Sequence, residues 1–99
     1  MFSACFLNAC LRHSDVVDVA CFAPIVNTRG PIFVHPDGIV KRTTFYVFKM
    51  YTNGLEDYML PVALEAERLT KGNQSTAVFD VVLTGNADGT RYVYAVVNK

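Results

Sequence analysis

Nine carboxylates, two histidines and three cysteines are the side chains through which this chain could do acid-base, nucleophilic or metal chemistry. The carboxylates are Asp15, Asp18, Asp37, Glu56, Asp57, Glu65, Glu67, Asp80 and Asp88. Glu65 and Glu67 stand two apart in strand-like text, so they share one face, and they read as a solvated edge rather than as an acid and a base. His13 can be drawn as a base beside Asp15, or with Cys10 as a cysteine-histidine pair. No oxyanion-hole motif accompanies either arrangement, and a histidine in the last turn of a helix answers the negative end of the dipole. His35 has no second ligand at metal spacing, so neither a metal nor a cofactor is expected. The remaining polar cluster is Asn27-Thr28-Arg29-Gly30-Pro31, a turn-rich stretch.

The elements that must position these groups follow from pattern. Residues 2–13 read as a helix, with Phe2, Phe6, Ala9, Cys10 and His13 on one side, Leu7 and Leu11 beside them, and Arg12 in the last turn. Val16 to Ala23 is a β-branched run broken only by Asp18 and stopped by Pro24, the text of a strand buried on both faces. Residues 24–42 then form a long loop. Residues 43–53 (Thr-Thr-Phe-Tyr-Val-Phe-Lys-Met-Tyr-Thr-Asn) have strand propensity on composition alone. Beyond Gly54 the pattern alternates over 58–67, 76–84 and 91–97, the last two joined by a loop at 85–90 with Asp88-Gly89 near its end. Pro61 confines the first of these strands to an edge or an irregularity.

Composition narrows the function classes. The charges cancel, nine basic against nine acidic, and form no runs, so neither a nucleic-acid backbone nor an anionic membrane surface is an expected partner. No apolar run approaches the roughly 20 residues of a membrane helix. The three cysteines form no Cys-x-x-Cys pair and lie in apolar segments, which predicts buried reduced thiols and a cytoplasmic setting. Residues 1–11 lack the basic start and cleavage site of a signal peptide. At 52% apolar and 18% charged, with almost no polar face in its first third, the chain reads as part of something larger that self-associates when alone.

Several collinear motifs carry a resemblance. Phe6-Leu7-Asn8-Ala9, Arg12-His13-Ser14-Asp15-Val16-Val17 and Ala23-Pro24-Ile25-Val26-Asn27-Thr28-Arg29-Gly30-Pro31-Ile32-Phe33 resemble glycoside hydrolase family 51, the α-L-arabinofuranosidases. The likeness continues through His35-Pro36-Asp37-Gly38-Ile39-Val40 and Thr43 to Tyr51. It implies an α+β fragment: the last helix-strand-helix of a (β/α)8 barrel over 1–53, then antiparallel strands of a jelly-roll-type β-sandwich over 54–99. In that template residues 2–13 are the seventh barrel helix, 16–23 the eighth strand, 24–42 the last βα loop and 43–53 the eighth helix. That helix would have Thr43 or Thr44 as N-cap and Asn53-Gly54 as its close.

The resemblance also implies a reaction. Retaining glycosidases use two carboxyl groups about 5 Å apart, and the family's two glutamates come from earlier barrel strands, whose motifs none of the nine carboxylates matches. No catalytic residue is therefore expected in this chain, and the parent would release terminal arabinofuranosyl residues from arabinan or arabinoxylan oligosaccharides. Active sites of barrels sit at the C-terminal ends of strands, which would put Pro24 to Arg29 at the sugar. Many family members carry a sugar-binding glutamine where this chain has Pro24, and proline has no such donor. Asn27 and Arg29 are the polar substrate-binding candidates that remain, although capping of its own loop is the favoured role for Asn27, and Arg29 has the alternative of pairing with an acidic neighbour in the rest of the barrel. Phe45, Tyr46, Phe48 and Tyr51 could form a stacking platform for sugar, but at helical spacing Phe45 and Phe48 with Met50 and Tyr51 are expected to pack against the barrel wall. The competing reading is a non-catalytic carbohydrate-binding or interaction module, which would bind arabinan by itself.

Overall fold

The computed structural model describes every residue from Met1 to Lys99. Its first element, α1 (Phe2–Arg12), stops at His13 with Arg12 in the last turn, as the sequence predicts. The buried stripe differs from the expected one. Ala4, Leu7 and Asn8 face inward, whereas Phe2 and Phe6 are 80% and 52% exposed. The stripe with the smaller residues packs because it lets the helix lie close to the sheet described below.

Residues 16–23 correct a second expectation. They form no strand, and Val16 and Val19 are exposed. The reason is physical: a buried strand exists only through ladder bonds to neighbours, and none of the three sheets takes in this segment. Phe22 packs by its side chain instead, its ring centroid 5.3 Å from that of Phe48. Cys21 is exposed rather than buried, and all three cysteines are free.

The 24–42 loop is more ordered than expected. It contains an antiparallel hairpin, β1 (Ile32–His35) and β2 (Gly38–Lys41), turning at Pro36-Asp37, with Gly38 at φ 141°. Next comes α2 (Thr43–Gly54), a helix despite its strand-like composition. Its N-cap position is Arg42, not Thr43 or Thr44, and no side chain caps it. At the other end the Asn53 side-chain amide donates to the Lys49 carbonyl at 2.9 Å.

The remaining strands are β3 (Tyr58–Leu60), β4 (Arg68–Lys71), β5 (Gln74–Ala77), β6 (Phe79–Gly85) and β7 (Tyr92–Asn98). The β6–β7 hairpin matches expectation, with Val82 opposite Ala95. The strand expected over 58–67 ends at Leu60, where Pro61 removes a donor, so Glu65 and Glu67 lie on irregular exposed chain. The run expected over 76–84 is split at Val78. Its first part belongs to the β4–β5 hairpin, closed by Gly72-Asn73 with Gly72 at φ 58°. The sheets are β1-β2, β4-β5 and the three-stranded β3-β6-β7.

One face of the three-stranded sheet meets α1, and its contact is polar at the centre. Asn8 is fully buried. Its Oδ1 accepts from the Tyr51 hydroxyl of α2 at 2.6 Å, and its Nδ2 lies 3.4 Å from both the carbonyl and Oδ2 of Asp80 on β6. Arg12 Nη1 completes the group, donating to Asp80 Oδ1 at 2.7 Å. Burial, then the proximity of Asp80 and Cys5, push the Tyr51 hydroxyl from 10.0 up to about 12. Beyond this cluster the apolar core is small: Ala4, Leu7, Val82 and Val97. The radius of gyration is 15.9 Å, against about 13 Å for a compact domain of this length.

Asn8→Ala should lower the unfolding free energy by about 1–3 kcal/mol, since it strands Tyr51 and Asp80, and Tyr51→Phe by about 1 kcal/mol. Denaturant titration checks both. The folded chain keeps the Tyr51 proton above pH 10.0, where the unfolded chain loses it. That contribution is therefore whole below pH 10.0 and is lost as pH rises toward about 12. Tyr51→Phe should flatten the fall of stability across that window, measured by unfolding at stepped alkaline pH.

Candidate functional site

The segment from Pro24 to Pro31 is a turn folded against the base of β1. Asn27 and Thr28 take positive φ, 57° and 36°, a region that asparagine tolerates better than most residues. The Asn27 N–H donates to the Ile32 carbonyl at 2.8 Å, and the Ile32 N–H donates back to the Ile25 carbonyl at 3.2 Å. Asn27 Oδ1 accepts the Val34 N–H at 2.9 Å. Asn27 thus caps its own loop, one of the two roles open to it from sequence, while its Nδ2 makes no hydrogen bond.

Gly30 is required by close approach. A Cβ there would come within 2.5 Å of the Ile25 carbonyl carbon and oxygen and 2.8 Å of Val26 N. Behind the turn, Arg42 Nη1 donates to the Thr28 carbonyl at 2.8 Å, and its guanidinium lies 5.5 Å from the Phe33 ring centroid. The Arg42 N–H also donates to the Pro31 carbonyl at 2.8 Å. Arg42 therefore ties the start of α2 to both the turn and the hairpin. Its position just before a helix suggested no such role.

Arg29 projects from this scaffold, exposed and free of any hydrogen bond or ion pair. The turn presents one unengaged guanidinium and one unengaged amide, groups that can bind hydroxyl oxygens but cannot transfer a proton near neutral pH. The other sequence candidates do not join them. His35 Nδ1 accepts the Asp37 N–H at 3.3 Å on the hairpin turn, and Glu56 pairs with Arg91 at 2.8 Å. His13, Glu65 and Glu67 are exposed. No three His, Cys, Asp or Glu side chains converge as metal ligands would. A mostly apolar concavity of about 680 Å³ lies elsewhere, between α2 and β7. Of the aromatic set, Phe45, Phe48 and Tyr51 are half-buried, while Tyr46 is exposed.

Comparison with known proteins gives this arrangement a context. Residues 1–97 match a family profile described as the alpha-L-arabinofuranosidase C-terminal domain. A probable alpha-L-arabinofuranosidase C of Aspergillus niger is 35% identical over 96% of this chain and 20% of its own length. Alpha-L-arabinofuranosidase C of Emericella nidulans is 33% identical over 93% of the chain and 19% of its own length. An intracellular exo-alpha-(1->5)-L-arabinofuranosidase of Streptomyces lividans is 49% identical over a shorter stretch, 42% of this chain and 6% of that protein. No solved structure matches. The chain thus spans about a fifth of the length of the Aspergillus and Emericella relatives. The match runs through helices, turn and sheet alike, in agreement with the resemblance to glycoside hydrolase family 51 carried by the sequence motifs, and this chain belongs to the alpha-L-arabinofuranosidase C-terminal domain family.

Proposed function

We propose that this chain is the C-terminal part of a retaining α-L-arabinofuranosidase. The parent would remove terminal α-L-arabinofuranosyl residues from arabinan or arabinoxylan oligosaccharides, with both catalytic glutamates outside these 99 residues. The observation that carries the reading is the family match over residues 1–97. In this reading residues 1–53 close a (β/α)8 barrel and residues 54–99 begin a jelly-roll-type sandwich. The bare Val16 to Ala23 segment supports it, because a barrel's eighth strand would take its ladder bonds from strands of the remaining barrel. The exposed stripe of Phe2 and Phe6 would then face neighbouring barrel elements. The three free thiols suit the cytoplasm.

On this proposal the turn at Pro24 to Arg29 is one wall of the sugar site, where the Arg29 guanidinium and the Asn27 amide meet substrate hydroxyls. The chemistry remains with the two absent carboxyl groups, which supply acid/base and nucleophile. The residues present here orient and bind.

Purified chain should not hydrolyse an aryl α-L-arabinofuranoside; turnover abolished by Glu65→Gln or Glu67→Gln would overturn the reading. Binding of arabinan by the chain alone would favour the non-catalytic module instead. In the full-length parent, Arg29→Ala should raise KM about tenfold, the loss of roughly one hydrogen bond to a charged group, with Tm little changed, since Arg29 makes no hydrogen bond or ion pair within these 99 residues. Asn27→Ala should lower both kcat/KM and Tm, since its Oδ1 holds Val34. Steady-state kinetics and thermal melts on the two variants separate binding from scaffolding.

A further inference from the structure

Thr28 and Arg29 are the part of the Pro24 to Pro31 turn that its own hydrogen bonds hold least. Asn27 ties the start of the turn to β1, its N–H donating to the Ile32 carbonyl and its Oδ1 accepting from Val34. Past Asn27 the turn makes one closing bond of its own, from the Gly30 N–H to the Asn27 carbonyl. Thr28 stands inside that closure at φ 36°, a left-handed conformation that disfavours a β-branched side chain. Such a residue persists only where its surroundings hold it there.

The hold comes from Arg42. Its Nη1 donates to the Thr28 carbonyl at 2.8 Å, and no other group donates to that oxygen. A peptide unit is planar, so fixing the Thr28 oxygen also fixes the nitrogen and Cα of Arg29. Arg42 is itself held at both ends. Its guanidinium lies over the Phe33 ring, 5.5 Å from the centroid. Its backbone N–H donates to the Pro31 carbonyl at 2.8 Å, and its carbonyl accepts the Phe45 N–H of α2 at 2.9 Å. It forms no ion pair, so the guanidinium is spent on this backbone contact and this ring. A planar, delocalised cation can stack and donate at once, which the point charge of a lysine cannot.

We infer that Arg42 is a positioning residue for sugar binding. It acts from behind the turn, locking the Thr28–Arg29 peptide so that the Arg29 guanidinium meets the hydroxyls of an arabinofuranosyl unit already oriented. The inference rests on the proposed placement of this turn at the sugar, while the clamp itself lies wholly within the 99-residue chain.

Two readouts test the clamp and the placement separately. Trypsin cleaves after arginine and lysine, so the Arg29–Gly30 bond reports how firmly the turn is held, and Lys71–Gly72 on the β4–β5 hairpin serves as internal control. Arg42→Met keeps an apolar stem beside Phe33 and loses the donor. In the 99-residue chain it should speed cleavage after Arg29 about tenfold or more, the opening that one hydrogen bond from a charged group resists, and leave cleavage after Lys71 unchanged. In the full-length parent it should raise KM for an aryl α-L-arabinofuranoside about as much as Arg29→Ala does. The double variant should go no further, because both changes remove the same contact with the sugar. No acceleration after Arg29, equal acceleration at both bonds, or KM effects that multiply would overturn the proposal and leave the arabinofuranosidase reading standing. If Arg29→Ala itself leaves KM untouched, the placement of the turn at the sugar fails and the proposal falls with it. Should Arg42→Met lose its far-ultraviolet circular dichroism, Arg42→Lys carries the same comparison, since it keeps the charge but cannot stack and donate together.

Discussion

A single buried amide holds the parts of this molecule in register. Asn8 sits on an otherwise apolar stripe of α1 and has no access to solvent. A primary amide in that position must find partners within the protein or destabilise it. It finds them on two other elements, the Tyr51 hydroxyl of α2 and the Asp80 carbonyl and carboxylate of β6. Arg12, one turn further along α1, neutralises Asp80. In the observed arrangement of the three elements all four side chains find partners. With four buried apolar residues in the core, directional bonds set the geometry that packing would set in a larger domain.

The same shortage of core explains the open outline. Phe2, Phe6, Val16 and Val19 lie exposed on one flank, and Tyr94 and Val96 on the outer face of the sheet. Leaving large apolar side chains bare forfeits roughly 1.5–3 kcal/mol each, against the about 5–15 kcal/mol of net stability typical of a domain.

The candidate binding turn depends on backbone geometry more than on side-chain chemistry. Gly30 passes so close to Ile25 that no side chain fits. Asn27 spends its carbonyl oxygen on Val34, and Arg42 clamps the turn from behind through the Thr28 carbonyl. The Arg29 guanidinium and the Asn27 Nδ2 group are left uncommitted. In the proposed function this turn would position the Arg29 guanidinium, so that engaging a ligand there costs little entropy.

Much of this was legible in the sequence, and for local reasons. The limits of α1, the β6–β7 hairpin with its Asn86-to-Thr90 connection and the break at Pro61 rest on periodicity, turn residues and the missing proline donor, which act over a few neighbours. The collinear motifs from Phe6 to Tyr51 likewise sufficed to identify the family. Composition misjudged what distant partners decide. The Val16 to Ala23 run has strand text but no strand to pair with, and the Thr43 to Gly54 text, β-branched and aromatic, is helical because Tyr51 and Phe48 gain contacts there with Asn8 and Phe22. The Pro36-Asp37 and Gly72-Asn73 turns held readable signals for the two short hairpins, although no long alternating run announced them. Which stripe of α1 is buried, that Asn8 and not Phe2 or Phe6 meets the sheet, was settled by tertiary structure alone. The sequence presents every apolar stripe of a helix equally, and only the position of Asp80 and Tyr51 in space selects the one that carries a hydrogen-bonding group.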